Sequence, residues 1–135
     1  MATHRFDYSV FRDAKAPVIP VEVWGAGRWH NLWVYVDSGA SFTVFHTYEA
    51  KRLGVRLADC RKYYLAVAGG RVPVYQTQLT FKIGTEKFKA DVGFCAVLGG
   101  AFNLLGRQGI FDKFQVTFDD KNETVTFHRP PRSAK

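Results

Sequence analysis

The chemistry that this sequence could perform centres on Asp37, the first residue of an Asp-Ser-Gly-Ala segment at residues 37–40. An apolar run at residues 32–36 leads directly into this acid, and a second run rich in β-forming residues, 42–45, follows it. A short apolar run that is bounded by turn residues predicts a strand buried on both faces. We therefore expect Asp37 to lie in a dry place at the end of a buried strand. A carboxylate there is costly unless it accepts hydrogen bonds or shares its proton.

An ordinary turn is the simplest interpretation of Asp-Ser-Gly, because Asp and Ser hydrogen-bond to nearby backbone and Gly permits positive φ. The apolar strands on both sides indicate more than a turn, since the whole segment resembles the active-site loop of the aspartic proteases. A second segment, Phe-Asn-Leu-Leu-Gly-Arg at residues 102–107, agrees with this. It resembles the apolar-apolar-Gly-Arg segment that closes the catalytic core of the retropepsins, the retroviral branch of that family.

The resemblance covers roughly residues 17–127 and implies an all-β fold, a closed acid-protease barrel with one or two short helices. Peptide hydrolysis in such proteases uses two carboxylates that hold one water and share one proton. Asp37 is the catalytic residue that the resemblance assigns, and no second Asp in the chain is followed by Ser or Thr and then Gly. The resemblance therefore implies a homodimer in which two copies of Asp37 face each other.

Further roles follow from the resemblance alone. In the active-site loop, the Ser38 hydroxyl would bond to the partner's loop, Gly39 would offer its amide to the carboxylate, and Ala40 would line the cleft floor. The segment that passes beside this loop comprises Asn103, Leu104, Leu105, Gly106 and Arg107.

The sequence departs from the retroviral pattern at two positions. Ser41 stands where those proteins usually have an acidic residue that pairs with the arginine, and Gln108 stands where Asn or Asp is common. The partner of Arg107 therefore stays open at this point.

The strand that ends at Asp37 is predicted to be the return arm of a hairpin, residues 18–24 and 29–37 around a Gly-Ala-Gly turn. Residues 46–54 then predict a short helix, with Thr47 as N-cap and Gly54 as its stop.

A further hairpin is predicted around Ala68, Gly69 and Gly70, with arms at residues 63–67 and 71–75. On the residues alone, a plain surface hairpin and a functional one fit this stretch equally well. Its place between the Asp-Ser-Gly-Ala segment and the Gly-Arg segment matches the flap that folds over substrate in the family that the sequence resembles, and its glycines would leave it mobile.

The remaining chain predicts a hairpin over residues 78–97, a short helix over 107–114 and a C-terminal hairpin over 115–127. The N-terminal part predicts a short edge strand at 6–11 and a loop at 13–17. We divide the chain into an N-terminal strand and loop (1–16), a retropepsin-like domain (17–128) and a disordered tail (129–135).

Composition limits the other possibilities. The chain is 135 residues long and 47% hydrophobic, which predicts one domain with a real core. Its net charge of +7 is scattered, with no basic run longer than two residues, so we expect neither nucleic acid nor membrane as a partner.

Two separated cysteines predict reduced thiols, and with no secretory leader visible we expect a cytoplasmic protein. Scattered histidines predict no metal site, and we expect no cofactor.

The function that the sequence predicts is that of an aspartic endopeptidase, active as a homodimer on a peptide or protein substrate. The alternative is a catalytically silent dimerisation or peptide-binding module with the same fold, since fold alone does not secure activity. A basic nucleic-acid binder is a third hypothesis, which strongly salt-dependent binding would support.

Overall fold

The structure is a computed structural model that describes residues 2–97 and 102–131. Strands dominate these residues, together with one α-helix, α1 (Thr47–Arg52), and one 3₁₀ turn, Leu57–Asp59. The strands, in chain order, are β1 (Ala2–Asp7), β2 (Ser9–Phe11), β3 (Ala14–Ala16), β4 (Val18–Gly25), β5 (Arg28–Val36), β6 (Val44–Phe45), β7 (Arg61–Val67), β8 (Gly70–Ile83), β9 (Glu86–Phe94), β10 (Leu104–Leu105), β11 (Gln115–Asp119) and β12 (Thr124–Arg129).

The hairpin β4–β5 carries the chain to Asp37. Its two-residue turn, Ala26-Gly27, has φ of 49° and 78°, the left-handed backbone that lets tightly joined strands keep their twist. On β5 the residues alternate between the interior and the surface, with Leu32, Val34 and Val36 buried. The predicted hairpin is thus present, and its inward face anchors the strand end from which the loop containing Asp37 begins.

The main sheet has seven strands in the order β4-β5-β10-β6-β9-β8-β7. It curls back on itself, because β4 also pairs with β8 at Glu22–Lys82 and Val23–Phe81. The all-β fold is confirmed. Strands β4 and β8 pair at these two positions only, so the barrel is less closed than we predicted.

The short strand β10 lies between β5 and β6, although it comes far later in the chain. Leu104 and Leu105 pair in parallel with Tyr35 and Val36, and Leu104 also pairs with Val44 on β6. This insertion brings the end of the Asn103–Arg107 segment directly beside the loop that joins β5 to β6.

The N- and C-terminal segments form a separate three-stranded sheet in the order β1-β12-β11. It packs on the main core through Phe114, whose ring meets Phe127 of β12 and Phe88 of β9 edge to face at centroid distances of 5.7 and 5.3 Å. The two sheets therefore share one hydrophobic core. Its largest fully buried residues include Phe45, Phe81, Phe94, Phe127, Ile19, Leu32, Ile83, Leu105 and Ile110.

Three local predictions were wrong. Residues 107–114 form successive turns and no helix, because Gly109 takes φ of +96° and interrupts the hydrogen-bond ladder. The predicted helix at 46–54 is present as α1, but His46 caps it, accepting a bond from the Tyr48 N–H at 3.1 Å. The predicted loop at 13–17 contains β3, which pairs with β2 in a small hairpin.

Two observations concern the rest of the chain. In the described part, no helix is long and apolar enough to cross a membrane, and Cys60 and Cys95 are free thiols. Of the tail predicted at 129–135, Arg129 still belongs to β12, and residues 132–135 lie outside the described residues.

Candidate active site

Asp37 is the first residue after β5, and its position is fixed by both neighbouring segments. Its backbone N–H donates to the Leu105 carbonyl oxygen on β10 at 3.0 Å. The Gly39 N–H donates to Asp37 Oδ1 at 2.9 Å, and the Ala40 N–H donates to the Asp37 carbonyl at 3.1 Å. The loop therefore orients the carboxylate through the Gly39 amide and closes a turn on the Asp37 backbone.

The carboxylate is more accessible than we predicted. In the single chain, Asp37 is half-buried, and Ser38 and Gly39 are exposed. The prediction of a strand buried on both faces was wrong, because Trp33 is exposed and Tyr35 is half-buried, so only one face of β5 faces the core. The loop that follows also opens to the surface. A second body would have to cover this loop before Asp37 could lie in a dry place.

Thr43 fastens the active-site loop to the Gly-Arg segment. Its side chain is only 1% exposed, and its Oγ1 accepts a hydrogen bond from the Gly106 N–H at 3.1 Å. The same hydroxyl donates to the Gln108 carbonyl oxygen at 3.2 Å. Sequence analysis did not identify Thr43 as a site residue. The sequence feature that could have identified it is a single hydroxyl within the apolar run 42–45, because a buried hydroxyl must find hydrogen-bond partners.

Gly106 allows the two segments to approach each other closely. A Cβ at this position would collide with the Phe42 carbonyl group and lie 3.0 Å from the Ala40 carbonyl oxygen. The Arg107 N–H donates to that Ala40 oxygen at 2.9 Å, and the Gln108 N–H donates to the Ser41 oxygen at 3.0 Å. The absence of a side chain at Gly106 is therefore what permits this backbone pairing.

The structure supplies a partner for Arg107. Its Nη2 donates to the Ser41 Oγ at 3.3 Å, on the exposed side of the loop. Ser41 stands at the position where an acidic residue is usual in the retroviral pattern, so a neutral hydroxyl takes the place of an ion pair. This contact is weaker than a charged pair would be.

Asn103 connects three elements around the site. It is 5% exposed, and its Oδ1 accepts from the His46 N–H at 3.0 Å. Its Nδ2 donates to the Trp33 carbonyl at 3.3 Å and to Glu49 Oε2 at 3.0 Å. One buried amide thus joins β5, β10 and the start of α1, which fixes the frame in which Asp37 sits.

Two cavities flank Asp37. The larger, of about 510 Å³, lies towards the terminal sheet and is lined by Tyr8, Lys15, Ala16, Pro17, Tyr35, Val36, Asp37, Ser38, Phe118, Asp120 and Glu123. The smaller, of about 300 Å³, is lined by Phe11, Arg12, Tyr35, Asp37, Phe102 and Leu104. Asp37 and Tyr35 border both cavities, so the carboxylate lies between a polar cavity and an aromatic one.

A tyrosine closes the far side of the larger cavity. The Tyr8 hydroxyl donates to Asp120 Oδ1 at 2.6 Å, and Tyr8 itself is buried. Burial, followed by the hydrogen bond to this carboxylate, raises the pKa of the Tyr8 phenol well above its ordinary value. This bond ties the N-terminal segment to the β11–β12 turn.

The predicted flap residues lie elsewhere in the single chain. Ala68, Gly69 and Gly70 form the exposed tip of the β7–β8 hairpin and line neither cavity at Asp37. By contrast, Ser38, Gly39, Ala40 and the segment from Asn103 to Arg107 are brought together with Asp37. In the described residues, no group of three potential ligands from His, Cys, Asp and Glu could hold a metal ion.

Comparisons with known proteins agree with this geometry. A family model described as aspartyl protease matches residues 19–108. The fold is similar to that of a retropepsin-like aspartic protease from Rickettsia conorii, with 19% identity and a TM-score of 0.64 over 91% of this chain and 98% of that one. It is also similar to EIAV protease complexed with the inhibitor HBY-793, with 25% identity and a TM-score of 0.53 over 73% and 88% of the two chains. No curated protein sequence matches the chain.

Proposed function

Because the chain belongs to the aspartyl protease family, we propose that it is an aspartic endopeptidase whose catalytic residue is Asp37. The observation that carries this proposal is the setting of the Asp37 carboxylate. It stands at the end of a strand whose inward face lies in the core, accepts the Gly39 N–H at 2.9 Å and opens onto two cavities. A carboxylate in this setting is positioned to act on a bound ligand rather than to stabilise the core.

The proposed reaction needs a second carboxylate, and we propose that a second copy of the chain supplies it. Two carboxylates a few ångströms apart share one proton, because both cannot stay ionised at that distance. The chain offers one Asp-Ser-Gly segment, and the exposed Ser38 and Gly39 leave this loop free to meet its own copy. A two-fold axis beside the loop would bring the two acids together.

In the proposed mechanism, the ionised carboxylate acts as general base on a water molecule between the two acids. The protonated carboxyl hydrogen-bonds the carbonyl oxygen of the peptide bond while the water oxygen attacks the carbonyl carbon. The carboxyl that took the proton from the water then gives a proton to the amine nitrogen as the C–N bond breaks, so the two roles exchange. Gly39 orients the carboxylate through its amide, and Ser38 would brace the pair by bonding across the axis. Ala40 would form part of the cleft floor beside the substrate.

The proposed substrate is an extended peptide with apolar side chains near the cleaved bond, bound by strand addition in the cleft. The β7–β8 hairpin, with Ala68, Gly69 and Gly70 at its tip, would close over it as a flap. Both glycines at the tip have positive φ, 88° and 150°, so this turn depends on residues without a side chain.

The test compares the wild-type chain with Asp37→Asn in a peptide-cleavage assay between about pH 4 and 6, where a carboxylate pair is partly protonated. Asp59→Asn is the matched control, because Asp59 is an exposed acid on the 3₁₀ turn. We expect cleavage by the wild type and the control, none by Asp37→Asn, and dimers in sedimentation equilibrium. Cleavage by Asp37→Asn, or a dimer that binds peptides and cleaves none, would contradict the proposal.

A further inference from the structure

The small hairpin β2–β3 reaches the candidate active site from a part of the chain that the family match does not include. The aspartyl protease model matches residues 19–108, and the hairpin spans residues 9–16. Its two-residue turn, Arg12-Asp13, has φ of 52° and 69° and lies between the paired residues Phe11 and Ala14. The hairpin therefore adds side chains to the site that the family pattern itself does not specify.

Phe11 fixes the hairpin against the aromatic cavity. Its ring centroid lies 4.8 Å from that of Phe102 and 5.5 Å from that of Tyr35. Together with Leu104 these rings form an apolar wall that ends at Asp37. A cavity of about 300 Å³ with this lining fits one large apolar or aromatic side chain next to the catalytic carboxylate.

Arg12 supplies a positive charge at the mouth of this cavity. Its guanidinium lies over the Phe11 ring, 4.9 Å from the centroid, so the side chain rests on the aromatic wall. In the part of the chain that the structure describes, Arg12 forms no ion pair, either with Asp37 or with the adjacent Asp13. The other titratable groups of the cavity are Asp37 and Tyr35.

We propose that Arg12 is a specificity-determining residue that selects peptides with an acidic side chain near the large apolar residue held in the aromatic cavity. The chemistry is that of a guanidinium fork, which matches the two oxygens of a carboxylate. Arg12 is the cationic residue in the lining of this cavity, so it is the group that an acidic side chain bound there would pair with. This inference rests on the proposed endopeptidase function.

The experiment uses fluorogenic peptides with one large apolar residue, in which Glu, Gln or Lys is placed in turn at each neighbouring position. At one position we expect kcat/KM for Glu to exceed that for Gln by about two- to fivefold, the size of an exposed ion pair. Lys at that position should be worse than Gln. Since Arg stays protonated, the preference should shrink as the pH falls below about 4.3 and the substrate Glu becomes neutral.

Three variants separate the causes. Arg12→Gln should bring kcat/KM for the Glu peptide down to that for the Gln peptide, while Arg12→Lys should retain part of the preference. Lys89→Gln is the charge-matched control, because Lys89 is exposed on β9 and lines neither cavity at Asp37. It should leave the preference intact.

The results distinguish this inference from the function on which it rests. A wild type that cleaves neutral peptides in an Asp37-dependent way, but shows no preference for Glu, overturns the role of Arg12 alone. The same holds if Arg12→Gln keeps the preference or dissociates the dimer in sedimentation equilibrium. Absence of any Asp37-dependent cleavage overturns both.

Discussion

Replacement of Thr43 by Val tests the contact that joins the active-site loop to the Gly-Arg segment. Valine keeps the shape of threonine and removes the hydroxyl, which accepts from the Gly106 N–H at 3.1 Å and donates to the Gln108 carbonyl at 3.2 Å. Gln108 is exposed, so its carbonyl can bond to water instead. Gly106 is buried, and its N–H would be left without a partner.

The expected loss of stability follows from this difference between the buried Gly106 donor and the exposed Gln108 acceptor. An unsatisfied buried donor costs about 1–3 kcal/mol, and the exposed acceptor adds little, so Thr43→Val should lower the free energy of unfolding by about 2 kcal/mol. Thr43→Ser is the control, because it keeps the hydroxyl and loses one methyl group, at about 1 kcal/mol. Only the valine variant should also lower kcat/KM, since only it releases the loop that carries Asp37.

The measurements are urea unfolding and peptide cleavage. Unfolding is measured at one fixed protein concentration, because the proposed dimer would gain stability by mass action. Wild-type stability of Thr43→Val would refute the reasoning. Equal losses of kcat/KM in the serine and valine variants would also refute it, because the hydroxyl would then not be the group that positions the loop.

Three further results are expected. Asn103→Asp should destabilise the fold by about 2–3 kcal/mol at pH 7, because the new carboxylate would face Glu49 Oε2, which lies 3.0 Å from the Asn103 amide nitrogen. The destabilisation should be smaller at pH 4, where one of the two carboxyl groups is protonated, and urea unfolding at both pH values measures the difference. Ser41→Asp should stabilise by about 0.5 kcal/mol at pH 7 by pairing with Arg107, and the gain should vanish below about pH 3.9. Tyr8→Phe should cost about 1 kcal/mol at neutral pH. Because the pKa of Tyr8 is raised in the folded state, the contribution of Tyr8 to the free energy of unfolding is present below about pH 10 and is lost as the pH rises above it. The Tyr8→Phe variant should therefore lose less stability than the wild type at alkaline pH in the same unfolding assay.

The sequence predicts the elements whose signals are local. The hairpin that leads to Asp37, its Gly-Ala-Gly turn and the helix stop at Gly54 all correspond to observed structure, with Gly27 and Gly54 at φ of 78° and 69°. These signals work because one residue type meets a backbone or burial requirement on its own. The all-β fold follows from them.

The features that the sequence did not predict depend on contacts between distant segments. The β2–β3 turn has Arg12 and Asp13 at positive φ, where Asn or Gly is typical of a hairpin turn, so these residue types did not indicate a hairpin. The bond from Arg107 to Ser41 and the bridge at Thr43 arise only when β10 inserts beside the loop. The helix predicted at 107–114 fails because Gly109 takes a left-handed backbone, which glycine adopts without steric strain.

The most direct test of the account is a mixing experiment with wild-type and Asp37→Asn chains, equilibrated at equal concentrations. If the active unit is a two-fold dimer that needs Asp37 from both subunits, one altered chain inactivates its partner. Cleavage should then fall to about a quarter of the activity of the same total amount of wild-type protein. A fall to only about half would mean that each chain works by itself, which would contradict the shared pair of carboxylates.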